Sequence, residues 1–167
     1  MPTSNLYLAP DLLALVQGTG AKTVLDVGPG HGKYGILLRE YAQVETVDAV
    51  EAWEPYVDAF GLWGIYRTVF IADVCDLPME ALAAYDCVFM GDVLEHIPRD
   101  KAIPLLERIP GWVVICTPAD FFPQPHEVPT EWHVSHWTQG DFPGADLVIE
   151  KLGGLMVRLR PKAVIGG

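Results

Sequence analysis

Short apolar runs alternate with stretches of helical periodicity along most of this chain. Residues 10–17 place Leu12, Leu13, Leu15 and Val16 toward one side, which predicts a short helix that Gly18 and Gly20 stop. A strand over 22–28 and a helix over 32–42 come next, the helix marked by Tyr34, Leu37, Leu38 and Tyr41. The same alternation predicts a strand over 44–50 and a helix over 53–63, with Gly61 and Gly64 at the turn, then a strand over 68–72 and a short helix over 78–84. The run 87–90 is apolar throughout, as suits a central strand buried on both faces. Pro98 opens a helix carrying Ile103, Leu105 and Leu106, and Pro110-Gly111 closes it before a fifth strand over 112–116. Five βα units in succession predict a parallel, doubly wound sheet.

The rhythm changes after residue 116. Two strand-like runs, 147–152 and 155–159, flank Gly153-Gly154, a pair suited to the positive φ angles of a tight hairpin. The expected architecture is therefore a Rossmann-like α/β fold: five parallel βα units plus a C-terminal antiparallel hairpin, seven strands in a three-layer αβα arrangement. Residues 119–136, rich in Pro, His and aromatics, fit no element. A loop of that length inside a domain is more often functional than idle, and it would leave the fifth strand at the carboxyl edge, where open α/β sheets bind ligands.

Composition narrows the class. A chain of 167 residues, half of them apolar or aromatic, is long enough for a sizeable core and reads as one domain spanning 1–167. Its formal net charge of -11, with scattered basic residues, argues against a surface that grips a phosphate backbone. Cys75, Cys87 and Cys116 form no C-x-x-C pair and lie in apolar stretches, so they read as buried thiols in a reducing compartment. The sequence shows neither a signal-peptide pattern nor an apolar run long enough to span a bilayer, and the expectation is a cytoplasmic protein with no membrane partner.

The candidate chemistry begins at residues 24–35, Val-Leu-Asp-Val-Gly-Pro-Gly-His-Gly-Lys-Tyr-Gly. An apolar strand ends near Asp26 and opens into a turn in which Gly28, Gly30 and Gly32 bare the backbone to a ligand, just before a helix N-terminus that favours anionic groups. Further on stand Glu51 in Val-Asp-Ala-Val-Glu-Ala-Trp, Asp73 in Ile-Ala-Asp-Val-Cys-Asp-Leu-Pro, and the segment Tyr85-Asp-Cys-Val-Phe-Met-Gly-Asp-Val-Leu-Glu-His96.

This series resembles class I S-adenosylmethionine-dependent methyltransferases over nearly the whole chain, most closely the small ubiquinone/menaquinone-biosynthesis type. The resemblance implies S-adenosylmethionine as cofactor. It places Asp26, Gly28, Pro29 and Gly30 at the cofactor turn, and Glu51, followed by Ala52, at the ribose hydroxyls, with Asp48 as the fallback. Asp73, preferred over Asp76, and the amide of Val74 would meet the adenine, while Gly91 and Asp92 would line the methionine end. His96 would lie near the reacting methyl. The implied reaction is an in-line displacement that moves the methyl from the sulfonium to a small-molecule acceptor. The leaving group is neutral, so the protein supplies alignment, which contributes about 7 to 11 kcal/mol in well-oriented cases, and a base for the acceptor's proton.

His96, His133 and His136 are the candidate bases, with His96 and His133 preferred as catalytic residues. The segment 126–136 holds three histidines and two glutamates but lacks the i, i+4 pair of an H-E-x-x-H zinc site, so no metal is assigned. Phe121, Phe122, Trp132 and Trp137 could wall an acceptor pocket or form core. Two other readings stay open. Gly30-His-Gly-Lys-Tyr-Gly35 also fits the G-x-G-x-x-G of NAD-linked oxidoreductases, and the chain could bind S-adenosylmethionine without turnover.

Overall fold

The computed structural model describes residues 5–122 and 127–161. A 3-10 turn at Leu6–Leu8 leads into α1 (Ala9–Gln17), followed by β1 (Thr23–Val27), α2 (Lys33–Tyr41), β2 (Thr46–Glu51) and α3 (Pro55–Ala59). Then come β3 (Val69–Ile71), α4 (Met79–Leu82), β4 (Cys87–Gly91), α5 (Arg99–Arg108), β5 (Trp112–Pro118) and the pair β6 (Ala145–Lys151) and β7 (Gly154–Leu159). The seven strands form one sheet in the order β3-β2-β1-β4-β5-β7-β6. The first five are parallel, whereas β7 runs antiparallel to both β5 and β6.

Strand alternation divides the core into two layers. Val24, Val47, Ala49, Cys87, Phe89 and Val114 face α1, α2 and α3, where Leu12, Val16, Leu38 and Val57 close the contact. Leu25, Val27, Val50, Val88, Met90 and Ile115 face the opposite way, against Leu82 of α4 and Leu105 of α5. Period-two side chains with apolar partners on both faces make the sheet the middle layer of an αβα fold. Among the described residues no helix is long and apolar enough to cross a membrane.

Several local expectations are corrected. The helix expected over 53–63 is α3 plus a 3-10 turn at Leu62–Gly64, because Gly61 turns left-handed (φ 63°) between them. The hairpin turn is Leu152-Gly153, both at positive φ (50° and 76°), so the pair sits one residue before the expected Gly153-Gly154. Gly154 belongs to β7, where it is small for packing: a Cβ there would stand 2.3 Å from Leu8 Cδ1. Tyr41 and Ile103 are exposed rather than core, and Cys75 is half-buried while Cys87 and Cys116 are buried. Trp137 is the largest fully buried side chain, packed under the sheet with Phe142 and not in a pocket wall.

Candidate functional site

Strand order reverses between β1 and β4, and a cavity of about 440 Å³ opens there at the carboxyl ends of the parallel strands. The turn after β1 builds its floor from Gly28, Pro29 and Gly30. Gly28 is left-handed (φ 60°), and a Cβ on it would lie 2.8 Å from Val93 Cγ2. Gly32, at the N-terminal cap of α2, is left-handed too (φ 75°), and a Cβ there would strike Ile65 at 2.4 Å. Both positions need glycine for conformation and for space.

Asp26 stands apart from the other predicted cofactor residues. It does not line the cavity but lies buried behind the turn, where the Tyr66 hydroxyl donates to it at 2.6 Å. The same hydroxyl accepts from the backbone N–H of Gly35 at 3.2 Å, one of the amides that a helix start leaves without an intrahelical partner. Burial pushes the Asp26 carboxyl up to about 7, the Tyr66 hydrogen bond acting against it. Asp26 thus anchors the turn through Tyr66 and α2.

The two acids of β2 have separate fates. Glu51, at the strand's end, borders the cavity together with Ala52, and its Oε1 accepts from the N–H of Trp53 at 2.7 Å. Burial pushes its carboxyl up to about 7, against the pull of the Trp53 amide. Asp48 is buried away from the cavity, gripped by the Arg67 guanidinium and by the Tyr85 hydroxyl at 2.8 Å. Burial alone would raise its carboxyl, yet those bonds hold it below the ordinary range. Its partners make it a structural acid. Asp73 and Val74 also border the cavity, whereas Asp76 does not. One oxygen of Asp73 caps the 3-10 turn that follows by accepting from Cys75 N–H at 2.9 Å.

Beyond the switch point the cavity is lined by Gly91 and Asp92 at the end of β4. Asp92 holds a left-handed backbone (φ 55°), unusual for a residue with a side chain, and its N–H donates to Cys116 O at 2.9 Å. Lys33, at the start of α2, shares this wall; burial lowers its ammonium, with Asp92 as the first opposing influence. His96, in the 3-10 turn Leu94–His96, and His133 both reach the cavity with ring centroids 4.9 Å apart. His136 does not reach it, because Nε2 donates to Ala119 O at 3.0 Å. Phe121, Phe122 and Trp132 also lie outside its lining, and His126 lies outside the described residues.

Glu95 was not singled out in the sequence, although it stands inside Leu-Glu-His. It lines the cavity at only 3 % exposure, and Oε2 accepts from the Thr117 hydroxyl at 3.1 Å. Burial, and next the charge of Asp92, pushes its carboxyl up to about 8. The signal was available: an acid between Leu94 and His96 right after an apolar strand is hard to place on a solvated face.

A family model described as a methyltransferase domain matches residues 25–110. A comparison with curated proteins finds no match. Among solved structures, the N-terminal domain of EvdMO1, crystallised in the presence of SAH and D-fucose, superposes with a TM-score of 0.68 at 15% identity, covering 96% of this chain and 85% of that one. The methyltransferase domain of bacterial CtHen1 superposes with a TM-score of 0.66 at 18% identity, covering 93% of this chain and all of that one (100%). NcsB1, an O-methyltransferase from neocarzinostatin biosynthesis solved with S-adenosylmethionine and 2-hydroxy-5-methyl naphthoic acid, gives 0.63 at 14% identity over 92% of this chain and 53% of that one. At such identities the likeness is one of fold.

Proposed function

The chain belongs to the methyltransferase domain family, and on that premise we propose that it moves a methyl group from S-adenosylmethionine to a small-molecule acceptor. One observation carries this reading. Asp73, Glu51, Gly28 and Asp92 follow the strand order β3-β2-β1-β4 around a single cavity, so acids and bare backbone occur in the sequence that an adenine, a ribose and an amino-acid end require. In this reading Glu51 accepts from the ribose hydroxyls and the Asp73–Val74 edge meets the adenine. Gly28 to Gly30 let the backbone approach the methionine end, whose ammonium Asp92 pairs, while Lys33 lies near its carboxylate.

His96 and His133 line the same cavity, and in this reading they stand where the acceptor has to lose its proton. Asn5, Leu8, Pro118 and Glu131 belong to the same lining, and a cavity of about 440 Å³ walled by such side chains favours a small acceptor over a polymer. The net charge of -11 also opposes a phosphate backbone. In-line attack by the acceptor breaks the S–CH3 bond and leaves neutral S-adenosylhomocysteine. Titration calorimetry with S-adenosylhomocysteine tests the assignment: saturable binding at one site per chain is expected, and a flat trace refutes it.

A further inference from the structure

Three side chains at the acceptor end come together in a way that methyl transfer alone does not ask for. One ligand atom each from Glu95, His96 and His133, a carboxylate oxygen and two ring nitrogens, all lie within 4.8 Å of one another. The cluster is held from outside. Nδ1 of His96 lies 3.2 Å from the Trp132 carbonyl, which can only accept, so Nδ1 donates and in the neutral ring the lone pair is on Nε2. This is how metal-binding imidazoles are commonly oriented, with the second nitrogen bonded to a carbonyl.

The backbone that carries His133 is held by the residues that follow it. The N–H groups of Val134 and Ser135 both donate to the Glu95 carbonyl, at 2.8 and 3.0 Å, and Ser135 Oγ and Trp137 Nε1 both donate to the Leu94 carbonyl. The segment carrying His133 is thus laced to the turn carrying Glu95 and His96. Glu95 supplies an independent sign. Its Oε1 is buried with no hydrogen-bond partner among the described residues, a costly state for a carboxyl oxygen beside the charges of Asp92 and Glu131. A cation there would satisfy the oxygen and offset the crowding of negative charge.

The geometry points to a divalent transition-metal site formed by Glu95, His96 and His133, with its open positions facing the cavity and taking an oxygen of the acceptor. Two imidazoles and one carboxylate suit zinc, cobalt, manganese or iron, and disfavour magnesium and calcium, which take all-oxygen sets. Three protein ligands with vacant positions are the pattern of catalytic rather than structural metal sites. The binding of the ion stands on the three side chains, while its service to the acceptor rests on the methyl-transfer reading. In that service a hydroxyl bound through oxygen becomes more acidic and gives its proton to bulk water. Its lone pair forms the O–CH3 bond as the S–CH3 bond breaks, and that electron pair stays on sulfur. His96 and His133 then act as ligands and neither takes the proton.

Cobalt(II) is the probe, added to the full chain after chelator treatment and followed by visible d–d absorption and calorimetry. One equivalent is expected to bind. Glu95→Gln and His133→Ala should each weaken it by about tenfold or more, with folding checked by circular dichroism. His136→Ala should leave it unchanged, because that imidazole is committed to Ala119. Absence of cobalt binding in the wild type, or equal binding in a folded His133→Ala, overturns the metal site. S-adenosylhomocysteine binding is measured on the same chelated samples. Cobalt failure with cofactor binding intact rejects only the ion, whereas loss of cofactor binding in the wild type rejects the methyl-transfer reading.

Discussion

Gly35→Ala is expected to destabilise this protein, although alanine is the better helix former. Gly35 lies in the first turn of α2, and a Cβ on it would stand 2.5 Å from both Cε1 and Cζ of Tyr66 and 2.7 Å from its hydroxyl. Those atoms belong to a buried ring that cannot swing into solvent. Displacing it breaks the hydrogen bond to Asp26 and the one from Gly35 N–H together. Overpacking costs about 1 to 3 kcal/mol, and each buried partner left unsatisfied costs about 1 to 3 more. The helix gain is at most about 1 kcal/mol. The net loss is roughly 2 to 8 kcal/mol, a fall in Tm on the order of 10 °C or more for a chain of this size. Thermal melting by circular dichroism is the assay. A Tm equal to or above wild type would refute the reasoning, since propensity alone predicts that sign. The cause is separable as well: in a Tyr66→Ala background the Gly35→Ala penalty should largely vanish, and an additive double mutant would exonerate the ring.

Glu51→Ala should raise the Kd for S-adenosylhomocysteine by about 10- to 100-fold in calorimetry, the loss of charge-assisted hydrogen bonds. Asp48→Ala should leave that Kd within about two-fold while lowering Tm by about 5 °C, because it strips Tyr85 and Arg67 of their acceptor; the opposite pattern would exchange the two roles. Asp26, with its carboxyl raised from 3.8 to about 7 by burial, binds its proton more tightly when folded. Its contribution is therefore complete below about pH 4 and lost as pH rises through 7, with a ceiling of about 4 kcal/mol. Urea unfolding should show the wild type losing stability relative to Asp26→Asn between pH 4 and 8, and parallel profiles would contradict this. Leu152→Asn should stabilise by about 1 kcal/mol, because Asn tolerates the left-handed turn position that Leu152 occupies at φ 50°; an unchanged urea midpoint would count against it.

The sheet was legible in the sequence because buried parallel strands have a plain signature, apolar runs such as 87–90 that need no tertiary knowledge to recognise. The glycine turn was legible for a similar reason, since Gly28 answers to a backbone rule. Glu51 was preferred over Asp48 on resemblance alone, and the physical reason that Asp48 lies away from the cavity was not legible, because it depends on Arg67 and Tyr85, which reach Asp48 only in the folded chain. Asp26 looked like a ligand contact and proved to be an anchor, as nothing local announces Tyr66 forty residues on. The hairpin was found while its turn slipped by one residue: Gly154 is glycine for Leu8's sake, a packing demand that mimics a turn signal. Trp137 and Phe121 look alike in a Pro- and aromatic-rich loop, and only tertiary burial sends one beneath the sheet and leaves the other exposed.

The lacing of residues 134–137 onto the Leu94–Glu95 carbonyls has a consequence for altering the enzyme. His133 is held from the residues that follow it, so the chain leading up to it is relieved of that duty. Thr130 and Glu131 line the cavity from that leading stretch, within a 3-10 turn at Pro129–Glu131. On the proposed function, Thr130 is the place to broaden or narrow the range of acceptors, whereas the charge of Glu131 reaches both Glu51 and Glu95, so replacing it would alter the proposed donor side as well.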